Sequence, residues 1–259
     1  MHILVTNDDG IHAPGLLALA QAMRALGQVS VLAPDRNWTA SGHVKTLDRP
    51  LRVQETLLAD DSLAFSTDGA PSDCVALALL GFLSQPVDLV VVGINPGENV
   101  GHDVTYSGTV TAAMEATIWG LAGVAISLQI PEEMPRKLDF APAARIAAQI
   151  AEHVIAEPLP KGVLLNVNVP YLPMDRIRGM QVTRQGQRIY KDKLIRRIDP
   201  RGKSYFWIGG DAPSGVVEEG TDYGAMMAGY ISISPIQLDL TAHSYLENLR
   251  GRVQEWNFR

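Results

Sequence analysis

Two periodicities alternate along the first half of the chain. Ile3-Leu4-Val5 is a short apolar run bounded by the polar stretch Thr6-Asn7-Asp8-Asp9-Gly10, which predicts a buried strand ending in a loop. From Pro14 to Leu26, Leu16, Leu17, Leu19, Ala20, Met23 and Leu26 recur at helical spacing. Pro14 suits the first helical turn and Gly27 the stop. Val29 to Ala33 predicts a second strand, closed by Pro34-Asp35. A second unit opens at Ala70-Pro71-Ser72-Asp73, whose Pro, Ser and Asp are helix-start residues, and an apolar helix follows to about Leu83. Asp88 to Gly93 is the most buried-looking strand; it runs into a loop from Ile94 to Tyr106, a helix from Ser107 to about Trp119, and a strand from Val124 to Leu128.

Alternation of strands and helices implies a mostly parallel, Rossmann-like sheet covered on both faces. In such sheets ligands bind beyond the carboxyl ends of the strands. The Asp8-Asp9 loop, the loop from Pro34 to His43 and the loop from Asn95 to Ser107 all follow strands, so all three are expected at one edge. Val163 to Val169 continues the strands. From Gly179 to Tyr230 the chain shows short alternating stretches such as Ser204-Tyr205-Phe206-Trp207-Ile208, broken by Gly and Pro, which predict a β-hairpin appendage. The expected organisation is one α/β domain over 1–259. Its core covers about 1–178 with 224–240, its appendage about 179–223, and its C-terminal helix, clearest from Thr241 to Arg250, about 241–259.

Composition alters this picture in a few places. The opening residues lack a basic region followed by a long apolar stretch, so no signal peptide is expected, and no apolar run approaches the roughly 20 residues of a membrane helix. Cys74 is the only cysteine, so an intramolecular disulfide is excluded and a cytoplasmic setting is expected. The net charge of −6 argues against a stable nucleic-acid partner. An anionic substrate therefore requires something local, such as a bound divalent cation, to overcome the global field.

The chemistry-bearing segments fit that requirement. Asp8 and Asp9 are adjacent carboxylates at a strand end, which repel each other unless a cation sits between them or both face water. Hard divalent cations prefer such oxygen ligands; the alternative is a turn whose Asp residues bind backbone N–H groups and water. The segment from Gly93 to Gly101 carries amides and glycines suited to close approach of a ligand, or simply to a glycine-rich connection. Ser107-Gly108-Thr109-Val110 opens a helix, whose free N–H groups and positive dipole end suit an oxyanion; Ser107 also suits an N-cap. No glycine fingerprint for a dinucleotide, no P-loop, no G-x-S-x-G elbow and no H-E-x-x-H pair is present.

Together these segments resemble the stationary-phase survival protein E (SurE) family of 5′/3′-nucleotidases. The matching stretches are Asn7-Asp8-Asp9-Gly10, Ala33 to Asn37 and Ser41-Gly42-His43, Asp73-Cys74-Val75, Gly93 to Asn99, and Asp103 with Tyr106 to Val110. Downstream, Asn166 to Pro170, Asp199 to Gly202, Gly220-Thr221-Asp222 and Asp239 to Ala242 also fit, so the resemblance spans nearly the whole chain. It implies one divalent metal ion per subunit, Mg²⁺ or Mn²⁺, held by Asp8, Asp9, Thr39 and Asn95. It also implies phosphate and substrate binding by Asn99, Ser107, Gly108 and Thr109, with His43 as a further contact and Asp8, Asp9, Asn95 and Ser107 as the catalytic set. Thr39 departs from the usual serine, keeping the oxygen but stiffening χ1, and Trp38 stands where the family often has a charged residue.

The expected reaction is hydrolysis of nucleoside 5′- and 3′-monophosphates by a metal-activated water, with the start of the Ser107 helix stabilising the phosphoryl oxygens. The alternatives are a broad-specificity phosphatase or exopolyphosphatase, and a nucleotide-binding regulatory module without turnover. Eight of the 22 Lys and Arg residues, Arg184 to Lys203, cluster in the appendage, either as a solvated hairpin or as an attractor of larger anions such as polyphosphate. The resemblance also implies a homodimer or homotetramer, with the hairpin and C-terminal segment in its interfaces.

Overall fold

The computed structural model describes residues 1–131, 133 and 135–256. In chain order its elements are β1 (His2–Thr6), α1 (Pro14–Met23), β2 (Gln28–Pro34), β3 (Val53–Leu57), β4 (Leu63–Thr67), α2 (Pro71–Leu77), β5 (Leu89–Pro96), α3 (Gly108–Ile118), β6 (Ala122–Leu128), α4 (Ala141–Ala156), β7 (Val163–Val169), β8 (Met180–Val182), β9 (Arg188–Ile198), β10 (Ser204–Gly215), α5 (Asp222–Met227), β11 (Ile231–Gln237) and α6 (Leu246–Val253). A nine-stranded sheet has the order β3-β4-β2-β1-β5-β6-β7-β11-β8. The pairs β2/β4, β2/β1, β1/β5, β5/β6 and β6/β7 are parallel. Only β3/β4 and β7/β11 are antiparallel within that sheet. This is the α/β, mostly parallel architecture expected from the strand–helix alternation.

Alternate residues of the central strands face opposite layers. Ile3, Val5, Val31, Val91 and Ile126 pack with Leu16, Leu19 and Met23 of α1 and Ile146 and Ile150 of α4. Leu4, Leu32, Val90, Val92 and Ala125 pack on the other side with Cys74 and Val75 of α2 and Val110, Ala112 and Ala116 of α3. Burial on both faces explains why these strands read as continuous apolar runs. Each fully buried Leu or Ile in these layers contributes about 1.5–3 kcal/mol through burial.

Chain direction across the sheet reverses at β1, which has β2 on one side and β5 on the other. The connections therefore diverge there, and the carboxyl ends of β1 and β5 are where sheets of this kind bind their ligands.

Several expectations change in detail. Strands β3 and β4 and helix α4 are additions to the elements that the sequence pattern predicts. The hairpin arm, β9 paired antiparallel with β10, is narrower than 179–223: β8 pairs with β11 in the main sheet, and α5 begins at Asp222. At the C-terminus a short turn at His243–Tyr245 leads into α6, which ends at Val253. The remainder of the helix expected to 259 includes residues 257–259, outside the described residues.

Candidate active site

The loops after β1, β2 and β5 meet at the start of α3. Thr6, the last residue of β1, lies opposite Val92 of β5. Asp8 and Asp9 follow in the loop, whereas Asn95, expected in a loop, is still in β5, paired with Ser127 beyond an irregularity after Val92. The Trp38 N–H donates to the Asp8 carbonyl at 2.7 Å, laying the Trp38-Thr39 segment along the Asp8 loop. The Gly42 N–H donates to the Tyr106 carbonyl at 2.9 Å, and Thr111 Oγ1 donates to the Gly42 carbonyl at 3.0 Å. These bonds join the second loop to the third. Gly10, at φ +104°, would place a Cβ 3.2 Å from the Arg36 backbone, so both dihedral and space select glycine at this turn.

Asp8 is buried, and its Oδ1 accepts from Thr109 Oγ1 at 2.6 Å. A side chain at Gly108 would come within 2.8 Å of Asp8 Cβ and 2.9 Å of its Oδ2, so the absent Cβ is what lets the carboxylate sit on the first turn of α3. Burial raises the Asp8 carboxyl above the ordinary carboxylate range, against the lowering effect of the Thr109 hydroxyl and the Thr109 and Gly108 amides. Asp9 Oδ2 is buried with no hydrogen-bond partner. Burial, and then the Asp8 charge, push its carboxyl up to about 7. Two adjacent carboxylates, one with an orphaned oxygen and both biased toward the neutral form, make a site that a cation would relieve.

The other residues singled out from the sequence take distinct places. Asn95 Nδ2 donates to the Gly97 carbonyl at 2.7 Å. That bond fixes the amide plane and leaves Oδ1 as its lone-pair face. Thr39 is exposed, and its N–H donates to Asn37 Oδ1 at 2.7 Å. Ser107 is the N-cap of α3, its Oγ accepting from the Val110 N–H at 3.1 Å. The Gly108 and Thr109 amides, two of the orphan donors of a helix start, lie beside Asp8. Asn99 is buried: its N–H donates to Asn168 Oδ1 at 2.7 Å, and its Nδ2 to Ser127 Oγ at 2.8 Å. His43 Nε2 lies 3.0 Å from Glu115 Oε2, on the flank of α3.

Several residues without an assigned sequence role hold this arrangement. Glu115 accepts from Lys45 Nζ at 2.9 Å and Trp119 Nε1 at 2.9 Å besides meeting His43, so it ties the loop after β2 to α3. Its signal in the sequence is a lone carboxylate among Ala112, Ala113 and Ala116 on the apolar face of a helix. Asn166 Nδ2 and Asn168 Nδ2 donate to the Asn99 carbonyl at 2.8 and 3.1 Å, fixing the third loop to β7. Asp222 accepts from the Gly101 N–H at 2.7 Å and the Gly186 N–H at 2.8 Å.

Among the described residues no group of three or more His, Cys, Asp or Glu side chains could hold a metal ion. A metal here would combine two carboxylates with neutral oxygens. That donor set is hard and oxygen-only, as Mg²⁺ and Mn²⁺ prefer, and the orphaned Asp9 Oδ2 fits it.

The sequence profile described as Survival protein SurE matches residues 3–192. The chain belongs to the SurE family. It is 49% identical over 257 residues to the 5′-nucleotidase SurE of Herpetosiphon aurantiacus, covering 99% of both chains. It is also 49% identical to the 5′-nucleotidase SurE 1 of Thermus thermophilus, covering 98% of both. The crystal structure of the SurE protein from Aquifex aeolicus superposes with a TM-score of 0.80 at 39% identity, over 96% of this chain and 98% of that one. The SurE profile begins at β1 and continues into β9, so it takes in all three loops of the site and the root of the arm.

Proposed function

We propose that this protein is a nucleotidase that hydrolyses nucleoside 5′- and 3′-monophosphates to nucleoside and phosphate, with one divalent cation in its site. The Asp8-Asp9 pair, set against the first turn of α3 at the topological switch point, carries this conclusion in a chain 49% identical to proteins named 5′-nucleotidase SurE. Asp8, Asp9, Asn95 and Thr39 would hold Mg²⁺ or Mn²⁺. A bound divalent cation supplies charge neutralisation at the phosphate and a nucleophilic water at neutral pH.

The remaining work falls to the chain itself. Ser107 and the positive end of α3 bind the phosphoryl oxygens and stabilise charge that grows in the transition state, while the Gly108 and Thr109 amides support the Asp8 carboxylate beside them. Thr109 holds Asp8 in one orientation through the 2.6 Å hydrogen bond. Asp8 or Asp9 orients the attacking water, and the buried Asp9 Oδ2, free of protein donors, is the oxygen best suited to the ion. The Asn99 backbone, pinned by Asn166 and Asn168, keeps the third loop rigid behind the phosphate.

Assembly into a homodimer or homotetramer is supported by the arm. Leu194, Ile198, Phe206, Trp207 and Ile208 are exposed on it, and an isolated two-stranded hairpin is marginally stable in water. Among the described residues no helix is long and apolar enough to cross a membrane. The deciding experiment is phosphate release from 5′- and 3′-mononucleotides, polyphosphate and an aryl phosphate with Mg²⁺, Mn²⁺ or EDTA. Metal-dependent release favouring mononucleotides is expected. Folded protein that releases no phosphate under any metal overturns the assignment.

A further inference from the structure

The hairpin arm is rooted in the loop that leads to α3, and one buried arginine dominates that root. Arg188 is the first residue of β9, with a side chain only 6% exposed, whereas the residues that follow it in the strand are exposed. Its Nη2 donates to Glu98 Oε1 at 3.2 Å, and its Nε lies 2.8 Å from Asp103 Oδ2. The guanidinium rests 5.5 Å from the Tyr223 ring centroid. A buried guanidinium is expected only where carboxylates compensate it, and both of these carboxylates belong to the segment between Asn95 and Ser107.

Asp103 is the decisive partner. Its Oδ1 accepts from Tyr190 Oη at 2.6 Å, so two residues of β9 hold one carboxylate, Tyr190 by a hydrogen bond and Arg188 by charge, with Arg188 Nε and Nη1 buried without a hydrogen-bond partner. The backbone of the same residue closes the turn before the helix: the Asp103 carbonyl accepts from the Tyr106 N–H at 2.9 Å and the Ser107 N–H at 3.0 Å. The grip on the side chain is therefore one residue's length from the bonds that seat the α3 N-cap. Behind it, Gly101 is held by Asp222 through its N–H at 2.7 Å and by Gln185 Nε2 through its carbonyl at 3.2 Å. A Cβ on Gly101 would come within 2.6 Å of the Gly186 carbonyl, so the two backbones are in direct contact.

We infer that Arg188 is a positioning residue: with Tyr190 it clamps the segment 98–107 to the root of the arm and so sets where Ser107 and the start of α3 stand. It touches no reacting atom. Truncating it leaves Glu98 and Asp103 uncompensated and loosens the turn that presents Ser107, which weakens phosphate binding and turnover together. The kinetic part of its test rests on the nucleotidase assignment, whereas the exchange part does not.

The experiment uses the full chain. Amide hydrogen exchange is followed over 99–107 in wild type, Arg188→Met, Arg188→Lys and Tyr190→Phe. kcat and KM for a 5′-mononucleotide, and inhibition by inorganic phosphate, are measured with saturating Mn²⁺. Arg196→Ala, on the exposed part of the arm, is the control. Arg188→Met is expected to speed exchange at 99–107 but not in β1. It is expected to lower kcat/KM about tenfold or more, as small displacements of binding groups do, with raised KM and weaker phosphate inhibition. Arg188→Lys recovers part of the loss and Arg196→Ala changes neither readout. Folded Arg188→Met with wild-type exchange and wild-type KM overturns the clamp. Should Arg188→Met fail to fold, Tyr190→Phe decides: faster exchange at Tyr106 and Ser107 supports the clamp, and unchanged exchange overturns it. A wild type that releases no phosphate removes the nucleotidase assignment, while exchange still decides the clamp.

Discussion

Glu115 offers the sharpest test of how the site is held. Its carboxylate is 3% exposed and is met by three side chains, His43, Lys45 and Trp119, from two elements. The His43 hydrogen bond first, and those from Lys45 and Trp119 with it, hold the Glu115 carboxyl down to about 2, against the opposing effect of burial. Lowering from the ordinary value of 4.5 to about 2 corresponds to about 3 kcal/mol of stabilisation of the folded state at neutral pH. His43 and Lys45 are 30% and 44% exposed, and solvent screening of those two partners reduces the figure to about 2 kcal/mol. The sign follows from linkage: a folded value below the unfolded one gives stability that is complete above about 4.5 and is lost as pH falls toward 2. Glu115→Gln keeps the volume but not the charge. It is expected to lower Tm by about 4–8 °C at pH 7, the shift that about 2 kcal/mol produces in a chain of this size. Near pH 3 the wild-type advantage shrinks to under about half its neutral value. The assay is paired thermal or urea unfolding of both proteins at pH 7 and pH 3, at one protein concentration. A deficit of equal size at both pH values would refute the electrostatic account and leave only packing.

Asp9→Asn is expected to abolish turnover while raising the Tm of metal-free protein above pH 7. The folded Asp9 carboxyl is pushed up to about 7, so its ionisation destabilises the folded state as pH rises from the unfolded value. Mn²⁺ should raise the Tm of wild type and not of Asp9→Asn; equal shifts would remove Asp9 from the ion site. Gly108→Ala places a methyl 2.8 Å from Asp8 Cβ and is expected to cost about 1–3 kcal/mol in stability and about 100-fold in kcat/KM. Steady-state kinetics on protein shown to be folded check this, and near-normal activity would mean that Asp8 can shift without loss.

The parts of the fold that were legible are those whose burial is symmetrical. β1, β2, β5, β6 and β7 are apolar runs because both faces of the sheet are covered. α1 and α3 carry a helical period with Pro14 and Ser107 at their starts. β3 escaped because Val53–Leu57 lies at the sheet edge with a half-exposed, polar pattern, and β8 because three residues carry no period. α4 was there to be read: Ala143, Ile146, Ala147, Ile150 and Val154 recur at helical spacing, but alanines in place of leucines gave a weak contrast.

The residue types of the site follow from the sequence alone. Adjacent carboxylates at a strand end, a glycine-rich loop and a Ser-Gly-Thr helix start are local signals, because their chemistry depends on neighbours in the chain. What the sequence could not rank is who holds whom across space. Asp8 meets Thr109 across 101 positions, Asn99 meets Asn168 across 69, and Glu115 meets Lys45 across 70. Such contacts are set by strand order and register. Those emerge only when the whole sheet is assembled, since no local propensity distinguishes one sufficiently apolar neighbour from another. The sequence by itself determined an α/β sheet with one edge rich in carboxylate, amide and hydroxyl side chains. Only the tertiary structure decided that His43 is bonded to a buried glutamate, and that one arginine of a basic run is buried as an anchor while its neighbours face water.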